Sequence, residues 1–167
     1  MARTVRNNIL ITGASAGLGR GVAREFARKG RNLALCARRL DQLEILRGEL
    51  LAINPSIRVC IASLDVGDHD RVFDVFRSFR DQLGPLVRVI INAGISKGQP
   101  LGCRRFDANL HTAQVNFVAA PARCEAAMEI FRAQGAGLLV NVASMSAFRG
   151  QTGSRTTYAA TKAASRH

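Results

Sequence analysis

The chain has 167 residues, of which 47% are apolar, and its formal net charge is +12. This length suits a single domain, residues 1–167, with a sizeable core, and the apolar fraction excludes a disordered chain. No apolar run approaches the roughly 18 residues of a membrane span, and the run at 9–11 is too short for a signal-peptide core. We therefore expect a cytoplasmic protein without a membrane span.

Basic residues dominate the charge, and arginine supplies 21 of the 24. The arginines are scattered over the whole chain, with no single run and no interleaved aromatic residues, so the composition favours an arginine-rich surface over nucleic acid binding. A few of them could serve an anionic cofactor. The four cysteines form no Cys-x-x-Cys pair and have no histidine at ligand spacing, so neither a metal site nor a disulfide framework is predicted.

Short apolar runs alternate with segments of helical periodicity along the whole chain. Strands are predicted at 7–12, 32–37, 57–64, 87–92 and 138–142. Helices are predicted at 17–29, 41–54, 68–83, about 109–134, and from 157 onward, with long loops at 94–106 and 144–156. Near-continuous apolar strands separated by helices are typical of a parallel sheet covered on both faces. With right-handed crossovers, this pattern predicts a doubly wound α/β fold of the Rossmann type.

A glycine-rich turn follows the first strand, with the sequence Thr12-Gly13-Ala14-Ser15-Ala16-Gly17-Leu18-Gly19. Gly13 can take a positive φ without steric penalty, Gly17 leaves room for a pyrophosphate, and Gly19 lets the next helix lie close to the strand. Such a strand, turn and helix present N–H groups and a helix N-terminus to a phosphate. The predicted cofactor contacts are therefore Gly13, Ser15, Ala16, Gly17, Leu18 and Gly19. A tight βα turn without a ligand is the alternative.

The second strand ends in Ala37, Arg38 and Arg39. NAD-binding folds often place an acid here, about 20 residues after the glycines, to hold the ribose 2′-hydroxyl. A guanidinium can instead bind a 2′-phosphate in a bidentate fork. We therefore expect Arg38 and Arg39 to favour NADP(H) over NAD(H), the alternative being a solvated basic turn.

Two further strand ends carry candidate cofactor contacts. Asp65 follows the third strand, with Val66 beside it. Its carboxylate could accept a hydrogen bond from an adenine amino group, or it could equally cap the next helix. The fourth strand ends in Asn92, Ala93 and Gly94, whose small size would let a cofactor ribose lie close to the backbone. A turn without a ligand is the alternative at this second position.

Residues with acid–base chemistry follow the fifth strand. Ser144 follows it after one intervening residue, and Tyr158 and Lys162 are four residues apart, on one face of the predicted last helix. An ammonium group there favours the ionised form of a phenol, which can then exchange a proton near neutral pH. A tyrosine–lysine pair alone is common. Its occurrence after the glycine turn, the basic second strand and Asn92 is not expected by chance.

With these motifs in this order, the sequence resembles the short-chain dehydrogenase/reductase family from residue 9 to about 164. The resemblance implies hydride transfer between a nicotinamide and a small-molecule carbonyl or alcohol. It implies that Tyr158 is the general acid/base, that Lys162 holds the nicotinamide ribose, and that Ser144 binds the substrate oxygen. Asn116 matches the asparagine that supports a proton-relay water. Ser146 is the rival of Ser144.

The family's sheet has seven strands, and its members continue well past the Tyr-x-x-x-Lys helix, so the resemblance implies a truncated member with five strands. Most of the substrate-binding half would then be absent. The resemblance also implies that copies pair through the helices at about 109–134 and 157–167. A non-catalytic nucleotide-binding or interaction module is the alternative to an enzyme, and nucleic acid binding through the positive charge is a third hypothesis.

Overall fold

The computed structural model describes residues 8–165. Its centre is a sheet of five parallel strands in the order β3-β2-β1-β4-β5. The strands are β1 (Asn8–Thr12), β2 (Asn32–Ala37), β3 (Val59–Ser63), β4 (Leu86–Ile91) and β5 (Leu138–Asn141). The predicted doubly wound α/β fold is confirmed. Residue 7, predicted to begin the first strand, and residues 166–167, predicted to end the last helix, lie outside the described residues.

Helices cover both faces of this sheet. They are α1 (Gly17–Arg28), α2 (Leu40–Ile53), α3 (His69–Leu83), α4 (Phe106–Ala113), α5 (Ala120–Gln134) and α6 (Thr156–Ala164). Ile9 and Ile11 of β1 pack in a core with α1 and α2, whereas Leu10 packs in a second core with α3 and α5. Successive side chains of a strand point to opposite faces. The middle residues of a strand that is buried on both faces are therefore apolar in succession, which explains the unbroken apolar runs.

The long helix predicted at about 109–134 begins earlier and is interrupted. It starts at Phe106, and a π-segment (Gln114–Val118) separates α4 from α5. Within this wider turn the Ala119 N–H donates to the Gln114 carbonyl at 2.9 Å. The interruption is explained by Pro121, which has no N–H for the carbonyl four residues before it and whose ring crowds that carbonyl. A π-segment inside a helix is frequently found at a functional site.

The remaining boundaries lie within two residues of the predicted ones, and several coincide with them. The loop predicted at 144–156 contains two short 3-10 turns, Met145–Ala147 and Gly153–Arg155. Within residues 8–165, β5 pairs with β4 alone and leaves its other edge unpaired. In that same range no helix combines the length and the apolar character needed to cross a membrane.

Candidate active site

The main cavity of the described chain lies beyond the carboxyl ends of the strands. The chain runs from β1 outward through β2 to β3 and then returns to β4 on the other side of β1. Ligands of open α/β sheets bind at such a reversal of strand order. The cavity has a volume of about 770 Å³. Its lining includes Gly13, Ser15, Ala16, Gly17, Leu18, Arg38, Arg39, Asp65, Val66, Asn92, Ala93, Gly94, Tyr158 and Lys162.

The glycine turn is shaped by close approach to two other segments. Gly13 has φ +68°, and a Cβ there would lie 2.7 Å from the Ala93 Cα. A Cβ on Gly19 would lie 2.5 Å from the Gly13 carbonyl oxygen and 2.6 Å from the Asn92 Nδ2. Gly17, at φ +56°, has no atom within 4 Å of a built Cβ. Gly13 and Gly19 thus permit packing, while Gly17 faces open space.

The N-terminus of α1 is open toward the cavity. Its N-cap residue, Ala16, forms no side-chain cap, and its first turn contains no acidic residue. Leu18, in this first turn, is exposed and lines the cavity. The free N–H groups and the positive end of the helix dipole therefore favour an anion at this position.

A fully buried threonine joins the ends of β1 and β4. The Thr12 hydroxyl oxygen accepts N–H bonds from Asn92 at 3.0 Å and from Ala93 at 3.1 Å. In return, the Asn92 Nδ2 donates to the carbonyls of Thr12 at 3.0 Å and Gly13 at 3.3 Å. The sequence gives Thr12 no role of its own. The only signal is a polar side chain at the end of an apolar strand.

We expect Thr12→Val to lower the free energy of unfolding by about 2 kcal/mol. The Ala93 N–H would lose its acceptor, and the Asn92 N–H would keep only the Ile90 carbonyl, to which it donates at 3.1 Å. Thr12→Ser keeps the hydroxyl and removes one methyl group, so its loss should be about 1 kcal/mol. Urea denaturation followed by circular dichroism measures both. Equal losses for the two variants would contradict this role of the hydroxyl.

The basic end of β2 and the acid after β3 lie on one side of the cavity. Arg38 and Arg39 are exposed, and the Arg39 Nη2 donates to the Ser15 Oγ at 3.3 Å. The Asp65 carboxylate accepts the Gly67 N–H at 2.9 Å, within its own turn. It is Asp68 that caps α3, by accepting the Arg71 N–H at 3.3 Å. Of the two alternatives for Asp65, the helix cap is therefore not used.

Tyr158 and Lys162 lie together in the cavity wall on α6. The Lys162 Nζ is 6.0 Å from the centre of the Tyr158 ring and donates to the Val142 carbonyl at 2.8 Å. Lys162 is buried. Burial lowers the pKa of Lys162, and the positive charge of Arg123 lowers this pKa further. A phenol that faces the cavity with an ammonium on the same helix face is a group that can exchange a proton with a ligand.

Two of the predicted catalytic residues do not line the cavity. The Asn116 side chain is buried, where it accepts the Ile95 N–H and donates to the Ile95 carbonyl, both at 2.8 Å. The Ser144 Oγ accepts the Ser146 N–H at 3.2 Å and so caps the first 3-10 turn. Asn116 thus holds the loop after β4, and Ser144 comes next to Ala143, which lines the cavity.

Residues next to the predicted strand ends complete the lining. They are Ala37, Ile95, Ser96, Lys97, Val115, Val142 and Ala143. Most are apolar or small and carry no recognisable motif. Their adjacency to a strand end or to Asn116 is the only signal. Between residues 8 and 165, no group of three or more His, Cys, Asp or Glu side chains could hold a metal ion, and the four cysteines are free thiols.

These features define a dinucleotide-binding fold of the dehydrogenase type. They are the doubly wound parallel sheet, the glycine turn at the reversal of strand order and the tyrosine–lysine pair in the same cavity. The chain belongs to the short-chain dehydrogenase family, whose family model, "short chain dehydrogenase", matches residues 7–167.

Several relatives cover nearly the whole chain. An uncharacterized oxidoreductase of Mycobacterium tuberculosis (strain ATCC 25618 / H37Rv) is 49% identical over 158 residues, which are 95% of this chain and 62% of that protein. The crystal structure of levodione reductase superimposes with a TM-score of 0.90 at 29% identity, over 98% of this chain and 63% of that one.

An alcohol dehydrogenase of the archaeon Thermococcus sibiricus, complexed with 5-hydroxy-NADP, superimposes with a TM-score of 0.87 at 29% identity, over 96% of this chain and 67% of that one. The chain thus spans about 62% of the length of the curated relatives it matches.

Proposed function

We propose that this chain is the cofactor-binding part of an NADP(H)-dependent oxidoreductase that transfers hydride between the nicotinamide and a small-molecule carbonyl or alcohol. The observation that carries the proposal is the composition of one cavity. The glycine turn, the basic end of β2 and the pair Tyr158 and Lys162 all line it. A phosphate-binding turn and a proton-exchanging pair in one cavity suit a cofactor that spans from one to the other.

The residues present fit a dinucleotide with a 2′-phosphate. The open α1 N-terminus and the space beside Gly17 suit the pyrophosphate. Arg38 and Arg39 offer guanidinium donors to the 2′-phosphate, and the Asp65 carboxylate with the Val66 N–H suits the adenine. Asn92, Ala93 and Gly94 line the cavity near its tyrosine–lysine end and would hold the nicotinamide ribose, whose hydroxyls would bond to Lys162.

The bound cofactor supplies or accepts the hydride. Tyr158 donates a proton to the carbonyl oxygen of the substrate, or removes it from the alcohol in the reverse direction. Lys162 stabilises the ionised phenol through its charge. Ser144 donates a hydrogen bond to the substrate oxygen, with Ser146 as its rival, and Asn116 supports the proton path behind Lys162. Of these residues, Tyr158 and Lys162 line the cavity, and their position there supports the proposal.

The cofactor preference is tested by titrating the purified chain with NADPH and with NADH. The chain has one tyrosine and no tryptophan, so its intrinsic fluorescence reports Tyr158, inside the proposed site. We expect tighter binding of NADPH, and in Arg38→Asp a loss of NADPH affinity of about tenfold or more, because a carboxylate repels the 2′-phosphate.

The control is Arg132→Asp, which makes the same change of net charge at an exposed position on α5. It should leave both affinities unchanged. If Arg38→Asp and Arg132→Asp weaken NADPH binding equally, the preference does not arise from the end of β2. Binding of neither cofactor to the parent chain would contradict the proposed function itself.

The proposal further includes a single domain, a cytoplasmic location and pairing of two copies. No nucleic acid partner is included. The pairing is supported by apolar side chains exposed along the helix that runs from α4 to α5, among them Leu110, Phe117 and Met128. Exposed apolar residues at neighbouring positions favour a protein interface.

A further inference from the structure

A buried arginine lies behind the floor of the cavity. Arg123, on α5, has 1% of its surface exposed. Its guanidinium donates only to backbone carbonyls, from Nε to Ala119 at 3.1 Å, from Nη1 to Ala93 at 2.8 Å and from Nη2 to Val115 at 3.0 Å. The charged head of this side chain therefore lies inside the protein and not on its surface.

The three carbonyls come from two segments that shape the cavity. Ala93 belongs to the loop after β4, and both Ala93 and Val115 line the cavity directly. Val115 lies in the π-segment and Ala119 at its end. Arg123 thus ties the wall segment after β4 to the π-segment. Asn116, which lies in the same π-segment, ties that segment to Ile95.

No carboxylate compensates the charge of Arg123 in the part of the chain that the structure describes. The ion pairs formed by residues 8–165 do not include it. The titratable groups that face it are the thiols of Cys36 and Cys124 and the ammonium of Lys162.

These neighbours leave the guanidinium as a full cation. Burial lowers the pKa of Arg123 to about 10, so it stays protonated at neutral pH. Burial raises the pKa of the Cys36 thiol to about 12 and also raises the pKa of Cys124, so both thiols stay neutral. Two basic groups, Lys162 in the cavity wall and Arg123 behind it, therefore lie in this region without a carboxylate paired to Arg123 among residues 8–165.

We propose that Arg123 is a positioning residue with two effects. It fixes the loop after β4 at Ala93, and its charge makes the nicotinamide end of the site bind the reduced cofactor more tightly than the oxidised one. The inference rests on the proposed function, because it requires the nicotinamide to bind beside Lys162. The oxidised nicotinamide ring carries a positive charge and the reduced ring carries none. An uncompensated cation in a region of low dielectric disfavours the charged ring far more than it would in water.

The comparison of the two redox forms isolates this effect. NADPH and NADP⁺ share the same phosphates, ribose groups and adenine, so the contacts of the glycine turn and of Arg38 cancel in the ratio of their affinities. A purely structural role of Arg123 would weaken both forms alike. A role of its charge changes the ratio, and no turnover is needed to measure it.

The experiment measures the dissociation constants of NADPH and NADP⁺ by calorimetry for the parent chain and three variants. Arg123→Met removes the charge, Arg123→Lys keeps it, and Arg132→Met removes an exposed charge from the same helix. We expect the parent to bind NADPH more tightly. We expect Arg123→Met to reduce this preference roughly fivefold, and the other two variants to keep it within about twofold.

If Arg123→Met does not fold, Arg123→Gln removes the same charge and retains a donor for one carbonyl. An unchanged preference in either neutral variant would overturn the proposal while leaving the proposed function intact. A parent chain that binds NADP⁺ as tightly as NADPH would overturn it as well, whatever the variants do. Absence of binding of both forms would overturn the proposed function and this inference together.

Discussion

Replacing Gly19 with alanine should lower the free energy of unfolding by about 2–4 kcal/mol, a large share of a typical domain's stability. A Cβ there would lie 2.5 Å from the Gly13 carbonyl oxygen and 2.6 Å from the Asn92 Nδ2. The first of these is backbone. The second is an amide held by two carbonyls. Neither can move aside without breaking the link between β1 and β4, so α1 itself would have to shift.

Gly21 provides a matched control, two residues further along α1. It has no atom within 4 Å of a built Cβ and is exposed. Gly21→Ala should therefore raise the free energy of unfolding by about 0.5–1 kcal/mol, because alanine has the higher helix propensity. Urea denaturation of both variants tests whether their changes in the free energy of unfolding have opposite signs. Two changes of the same sign would mean that α1 does not rest on the glycine turn as described.

The same pair of variants separates stability from binding. A shifted α1 would move its open N-terminus away from the position proposed for the pyrophosphate, so Gly19→Ala should also weaken NADPH binding. Gly21→Ala leaves that end of the helix in place and should bind NADPH like the parent. Binding is measured at a temperature at which circular dichroism shows both variants folded.

The sheet could be predicted from the sequence because its signals are local. The middle of a strand that is buried on both faces is apolar in succession, so the run Ile9, Leu10 and Ile11 marks β1 without any tertiary information. The parallel direction of the strands follows from the alternation of such runs with helices. The positive φ of Gly13 is likewise a local property of the turn.

The parts that could not be predicted depend on contacts between distant segments. Asp65 and Asp68 both suit a helix cap by residue type, and only the path of the backbone decides that Asp68 caps α3. Thr12 accepts hydrogen bonds from residues 80 and 81 positions away, which no local pattern encodes.

Arg123 is the extreme case. An arginine in an amphipathic helix is expected on the surface, because a buried charge carries a large desolvation penalty. Its burial is possible only where three carbonyls converge, and the Ala93 carbonyl is 30 residues away. That convergence in turn needs the π-segment, since Val115 and Ala119 supply the other two carbonyls.

Tyr158→Phe should bind NADPH with an affinity within about twofold of the parent and lose hydride transfer by roughly 10²- to 10⁴-fold. The ring fills the same space beside Lys162, while the proton donor is gone. Lys162→Met should lose both NADPH binding and hydride transfer, because the buried ammonium is proposed to hold the ribose as well as to stabilise the phenolate. Turnover is followed as NADPH oxidation with a panel of ketones and aldehydes.

The contrast between these two variants is what distinguishes an enzyme from a nucleotide-binding module. In an enzyme that works as proposed, Tyr158→Phe separates binding from chemistry and Lys162→Met does not. A Tyr158→Phe variant that retains more than about a tenth of the parent's turnover would remove Tyr158 from the chemistry. A parent chain that binds NADPH but does not oxidise it with any carbonyl of the panel would instead support the non-catalytic module. The tyrosine–lysine pair would then serve cofactor binding alone.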